Sequence, residues 1–241
     1  MNKTVRLKQT DDQKVYFISD LHHFHNPVRW AVPLWKQRGY ESVTEMNEDQ
    51  ITTINKIVRP NDILWHLGDI TLNCSESQFE EFITRLQCQN IYCLWGNHNS
   101  PTWAIYQREC QKFLDNRGYK SLVSTFDKST PMMDIMLDTP EIYPLRYRNL
   151  VFFGNYQELV VDGQCMVLEH YPVHVWNNMK DGVWHLCGHS HYNLPFSKAE
   201  NLESKILDVG WDGQLKPYSM DDLRTIMNKK KIFDAGDHHT N

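Results

Sequence analysis

Short apolar runs rich in Val, Ile, Tyr and Phe recur along this chain, separated by stretches in which apolar residues return with helical period. The first pattern is that of buried strands and the second that of amphipathic helices. Strands are predicted over 15–19, 63–67, 90–95, 159–161, 165–169, 183–187 and 206–209. A helix is predicted to open at Ser42, with Glu45 completing a capping box, and to carry Val43, Met46, Ile51, Ile54, Ile57 and Val58 until Pro60 stops it. A second begins near Ser75 with Gln78 in the reciprocal position, and its stripe is Phe79, Phe82, Ile83 and Leu86. Pro101 opens a third whose buried side is Trp103, Tyr106, Cys110, Phe113 and Leu114, with Gly118 as its stop. Residues 219–228 read as a short closing helix. The alternation of the two patterns predicts a layered α/β sheet protein.

Two stretches escape both periods. Residues 121–148 combine turn formers, methionines and the pair Arg146 and Arg148 without sustained pattern, and read as an insertion beside the site. The tail 234–241 is expected to fray. No linker or repeat interrupts the rest, so residues 1–241 read as a single domain.

Composition narrows the function classes. The chain is 41% hydrophobic, carries a formal net charge of -5, and has no basic run longer than Lys229-Lys230-Lys231, so an extended nucleic-acid surface is not expected. No segment has the character of a signal peptide or membrane span. Six scattered cysteines without a CxxC pair fit reduced thiols in the cytoplasm.

The chemistry is concentrated in five blocks: Ser19-Asp20-Leu21-His22, Leu67-Gly68-Asp69, Trp95-Gly96-Asn97-His98, Glu169-His170-Tyr171 and Gly188-His189-Ser190-His191. Each offers a metal ligand directly after a predicted strand, the place where open α/β sheets gather their ligands. Side chains two residues apart share a strand face, so Asp20 with His22, and His189 with His191, are each expected to point the same way if extended geometry continues to them. Gly68, Gly96 and Gly188 precede ligands, where a missing Cβ permits close approach. Imidazole, carboxylate and amide oxygen without thiolate suit Mn, Fe, Co, Ni or Zn, with Mg also admissible. Seven ligands exceed the needs of one zinc ion and suit two ions sharing a carboxylate.

This order of blocks resembles the calcineurin-like metallophosphoesterases. Glu45-Met46-Asn47-Glu48, Trp65-His66-Leu67-Gly68-Asp69, His170-Tyr171-Pro172, Trp184-His185-Leu186-Cys187-Gly188-His189, and Leu207-Asp208-Val209-Gly210 with Pro217-Tyr218-Ser219 extend the likeness to the small stand-alone members of bacteria and their viruses. The resemblance implies a four-layer α/β/β/α sandwich, two mixed β-sheets flanked by helices, with two divalent metal ions above the strand ends. By the same resemblance Asp20, His22 and His191 hold the first ion, Asn97, His170 and His189 the second, and Asp69 bridges them. A bridging hydroxide would attack phosphorus in line without a phosphoenzyme. His98 matches the histidine near the leaving oxygen, a general acid or charge stabiliser. The family usually follows that histidine with an acidic residue, and here Asn99 stands there.

Other residues receive secondary readings. His25 continues the Asp20-x-His22-x-x-His25 spacing and is a candidate for substrate contact, as are Asn97 and His98, whereas His23 reads as structural or exposed. His66 and His185 alternate with apolar residues inside strands and are expected to be satisfied interior histidines. Trp65, Trp95, Trp103 and Trp184 belong to the core, while Trp30, Trp35, Trp176 and Trp211 are candidates for stacking on a nucleobase.

The expected function is hydrolysis of a small phosphate ester, with a nucleotide monoester favoured. One alternative is a phosphodiesterase acting on a cyclic nucleotide or nucleic-acid end, and another is a non-catalytic metal-bound binding module.

Overall fold

The computed structural model describes residues 4–26, 32–98, 101–116 and 145–232. Residues 121–144 of the expected insertion, the tail 234–241, Trp30, Asn99 and Gly118 lie outside the described residues. The side chains of Phe113 and Leu114 do so too.

Among the described residues eleven strands form two mixed sheets. One has six strands, built from β2 (Val15–Ile18), β3 (Ile63–His66), β4 (Asn90–Leu94), β5 (Leu145–Tyr147), β6 (Leu150–Gly154) and β11 (Tyr218–Ser219), in the order β11-β2-β3-β4-β6-β5. Its four central strands run parallel and its two edges antiparallel. The other has five, from β1 (Val5–Leu7), β7 (Tyr156–Val161), β8 (Gln164–Glu169), β9 (Trp184–Cys187) and β10 (Ile206–Asp208), in the order β1-β7-β8-β9-β10. The expected stretch without pattern therefore ends earlier than 148. Leu145 is buried, and residues 145–147 pair with β6 to close the sheet edge.

The four expected helices form where the patterns put them, and two short ones, over 34–37 and 211–214, add to them. Helices α1 (Leu34–Gln37) and α2 (Val43–Ile57) precede β3, α3 (Glu76–Arg85) follows it, and α4 (Thr102–Asn116) follows β4. Two more, α5 (Trp211–Gln214) and α6 (Met220–Met227), come last. Ser75 and Gln78 make a complete capping box, with Gln78 N–H donating to Ser75 Oγ and Ser75 N–H to Gln78 Oε1. At Ser42 only one arm forms as expected. Its Oγ accepts from Glu45 N–H, but the Glu45 carboxylate reaches the N–H of Glu41 instead of Ser42.

Two apolar layers sandwich the larger sheet. Ile18, Leu64, Cys93 and Phe152 pack against Ile51, Ile54, Phe79, Phe82 and Ile83 of the helices. On the opposite face Phe17, Trp65 and Leu67 meet Leu159, Met166, Leu168, Leu186 and Leu207 of the smaller sheet. The outer face of the smaller sheet is covered by Trp176 and Met179 near the short 3-10 turn Met179–Asp181. Strands β2, β3 and β4 of one sheet and β8 and β9 of the other finish where the five chemical blocks begin. Both sheets therefore deliver side chains to one end of the sandwich.

Candidate metal centre

The strand ends are stitched together before any side chain acts. Asp20 N–H donates to Gly68 O and His22 N–H to Asp69 O, both at 3.1 Å, while Ser19 N–H donates to Val209 O. The ligand positions then leave extended geometry. Asp20, His22, Asp69, His189 and His191 all adopt left-handed φ between 48° and 67°, a conformation that costs a side chain-bearing residue about 1–3 kcal/mol. Extended geometry therefore continues to neither pair, and the condition for a shared strand face is not met. The left-handed turns send His189 toward Asn97 and His191 toward Asp212. Close approach accounts for all three glycines: a Cβ on Gly68 would collide with His170 Nδ1 and the Gly96 backbone, one on Gly96 with the Asp69 carboxylate, and one on Gly188 with Ser19 Oγ and Asp20 Oδ2.

Two clusters share this floor. The donor atoms of Asp20, His22 and His191 lie within 4.8 Å of one another, as do those of Asp20, Asp69 and His170. Asp69 Oδ2 stands 3.5 Å from His22 Nε2 on one side and 3.6 Å from His170 Nε2 on the other. Asn97 Oδ1 extends the second cluster, at 2.8 Å from His170 Nε2 and 2.7 Å from His189 Nδ1. Each carboxylate spends one oxygen on backbone: Asp20 Oδ2 accepts His189 N–H and Asp69 Oδ1 accepts His98 N–H, both at 2.8 Å.

The atoms left over fit metal ions. Asp20 Oδ1 and both ring nitrogens of His22 are buried without a hydrogen-bond partner among the described residues, a cost of about 1–3 kcal/mol per group unless a ligand relieves it. His170 Nδ1 donates to Leu67 O at 2.9 Å, so a neutral ring presents its bare Nε2 to the lone pairs of Asn97 Oδ1. Two acceptors at that distance need a cation or proton between them. Bonds of about 2.1 Å separate ligand atoms by about 3.4 Å in a tetrahedral site and about 3.0 Å in an octahedral one. The observed separations of 2.7–3.7 Å bracket these values.

The field at the floor favours an anionic Asp20. Burial pushes its carboxyl up, but the His22 ring, with Nε2 3.7 Å from Oδ1, and the neighbouring His170 and His191 together hold it below the usual carboxylate range. Burial pushes the His22 imidazole down. Asp208, beneath the same loop, is driven up to about 6 by burial and by Asp20. Its carboxylate accepts from Ser190 Oγ and from the N–H groups of Tyr192 and Gly210, which shapes the turn carrying His189 and His191.

A family model described as calcineurin-like phosphoesterase matches residues 13–193, a span that includes every one of these donor positions. The chain belongs to the calcineurin-like phosphoesterase family. An uncharacterized protein of Methanocaldococcus jannaschii, MJ1445, is 32% identical over 88 residues, which cover 36% of this chain and 47% of the relative. The match thus spans about half the length of that relative. The fold is shared with the crystal structure of a protein of unknown function, AQ665, from Aquifex aeolicus, at a TM-score of 0.55 and 16% identity, covering 89% of this chain and 99% of the other. The four-layer reading, two mixed sheets flanked by helices, agrees with that family fold.

All nine residues singled out in the sequence lie at this end of the molecule. Asp20, His22, Asp69, Asn97, His170, His189 and His191 converge as described. His98 is exposed, its ring 5.5 Å from that of His22, and the His25 ring lies 5.6 Å from His22 on another side. Both line a cleft of about 750 Å³ with Gln37, Asn73, Tyr192 and Asn193.

Several secondary expectations change. His185 is satisfied by Val167 O and the Val173 N–H, but His66 is buried with neither nitrogen partnered among the described residues. Its register neighbours are Ile18 and Cys93, which offer it no strong acceptor or donor side chain. Burial keeps its imidazole neutral, at about 3. Trp176 and Trp211 are buried and unavailable for stacking. Trp35 is half-buried with its indole N–H on Asn26 Oδ1. Arg148 pairs with Glu80, and Arg146 donates to Gln89 O and Arg148 O. His23 is buried on Phe82, with Nδ1 2.7 Å from Gln50 Oε1. Among the described residues no helix is long and apolar enough to cross a membrane.

Three residues around the centre had no advance reading: Arg38, Asp208 and Asp212. Asp208 lies inside the Leu207–Gly210 resemblance and Asp212 just beyond it, a usable signal. Arg38 had none, since an arginine in a polar stretch ordinarily reads as surface.

Proposed function

We propose that this protein is a two-metal phosphoesterase that hydrolyses a small phosphate monoester, with a nucleotide as the favoured substrate. The observation that carries the reading is the Asp69 carboxylate, whose Oδ2 lies between His22 Nε2 and His170 Nε2 at 3.5 and 3.6 Å. Asp20, His22 and His191 would hold one divalent ion, Asn97, His170 and His189 the other, and Asp69 both. When bound, such a pair acidifies water and offsets the charge of a phosphoryl group.

The chain's own residues supply the rest. Backbone bonds from His189 and His98 fix the two carboxylates, so the donors are set before substrate arrives. His98, exposed at the cleft wall, would give a proton to the leaving oxygen, and His25 would contact substrate. The net charge of -5 and the modest cleft support a small substrate over a long polymer. All six cysteines are unpaired, which supports a reducing compartment such as the cytoplasm.

The test is a turnover panel of nucleoside monophosphates, sugar phosphates and bis-p-nitrophenyl phosphate with Mn, Zn, Co, Ni and Mg. Release of phosphate from nucleotides ahead of the others is expected. Preference for sugar phosphates would overturn the substrate, preference for the diester would overturn the monoester reading, and metal binding without any turnover would overturn the enzyme.

A further inference from the structure

Arg38 is an arginine in an unusual place. Its side chain is 1% exposed, and every strong acceptor around its guanidinium belongs to the wall of the metal centre. Nε and Nη2 grip the two oxygens of Asp212 at 2.8 and 2.7 Å, Nη2 also donates to Asp20 O at 2.7 Å, and Nη1 donates to Leu21 O at 2.8 Å. The forked, bidentate geometry fixes both partners in direction as well as distance. Asp212 in turn accepts from His191, with Oδ2 3.0 Å from Nδ1. That bond sets the tautomer, because a carboxylate only accepts and Nδ1 must carry the proton. His191 therefore offers Nε2 to the centre, and its ring stacks on His22 at 4.7 Å.

We infer that Arg38 and Asp212 are positioning residues that clamp one half of the centre, the half made by Asp20, His22 and His191. One arm holds the carbonyls of Asp20 and Leu21, in the turn between the left-handed Asp20 and the left-handed His22. The other arm holds His191 from α5, an element whose first N–H is itself tied to Ser19 O. The opposite half is oriented separately, through the bond from His170 Nδ1 to Leu67 O and the contacts of Asn97 Oδ1. Loosening the clamp should thus weaken one ion and spare the other. A buried pair serving stability alone would have no such asymmetry. Buried Asp62, paired with the half-exposed Arg59, provides the contrast, since its partners are the Lys14 N–H and Arg59, both away from the centre.

This rests on the two-ion reading of the site, and titration of metal-free full-length protein with Mn²⁺ and with Zn²⁺ separates the two. Two ions per wild-type chain are expected. In Asp212→Asn and Arg38→Lys one of the two affinities should fall by about 10–100-fold, with the other within error of wild type. Asp62→Asn should lower the melting temperature while leaving both affinities in place. Fewer than two ions on the wild type would defeat the two-ion reading and the clamp with it. Two ions on the wild type, with both affinities unchanged or equally reduced in Asp212→Asn, would defeat the clamp alone. If Asp212→Asn does not fold, Arg38→Lys, which keeps the charge and loses the fork, carries the same decision.

Discussion

The Asp20 carboxylate, at the end of a strand in the six-stranded sheet, accepts the backbone N–H of His189 from the five-stranded sheet at 2.8 Å. One donor residue thereby holds the backbone of another across the sandwich. Gly188 lies directly beneath this bond, with no room for a Cβ beside Ser19 Oγ and Asp20 Oδ2. Gly188→Ala is expected to cost about 1–3 kcal/mol of stability and to strip metal, read by elemental analysis of the purified variant. Full metal content in Gly188→Ala would mean the two strand ends can part without harm.

Asp69 and His98 should separate cleanly. Asp69→Asn removes the charge shared by both clusters, so both ions should weaken together. His98→Ala keeps its backbone N–H on Asp69 Oδ1 and should retain both ions, while kcat falls by about a hundredfold to ten-thousandfold. Loss of metal in His98→Ala would move that residue from proton transfer to ligation.

The candidate site was legible in the sequence because its parts are local: apolar run, glycine, potential donor. Ser75 and Gln78 were legible for the same reason, three residues apart on one turn. What escaped depends on folding. The divergence of His189 from His191 comes from left-handed turns shaped by Asp208, and the Arg38–Asp212 bond joins positions 174 residues apart. Strands β1 and β11, three and two residues long, are too short to show a period, and they exist because β7 and β2 offer them a sheet edge.

His66 is a buried imidazole with no hydrogen-bond partner among the described residues. His66→Leu, which replaces it with an apolar group of similar bulk, is expected to raise stability by about 1–3 kcal/mol, measured by chemical denaturation. A marked loss would show that a partner such as an internal water satisfies the ring.

Asp62 accepts Lys14 N–H at 2.7 Å and Arg59 N–H at 2.8 Å and pairs with the Arg59 guanidinium at 3.0 Å. Burial pushes its carboxyl up, yet the Arg59 side chain and these backbone bonds outweigh it and hold it below the ordinary 3.8. A depressed carboxylate stabilises the fold fully above that ordinary value and loses its contribution as pH falls through the folded one. Asp62→Asn should therefore be less stable than wild type at neutral pH, by about 1–3 kcal/mol, with the gap narrowing in strong acid. A gap independent of pH would assign the loss to packing instead of charge.

Anomalous diffraction from crystals grown with Mn²⁺ or Zn²⁺ bears most directly on the two-ion centre. Two peaks are expected, one bounded by Asp20, His22 and His191 and one by Asn97, His170 and His189, with Asp69 touching both. A single peak, or none among these seven side chains, would contradict it.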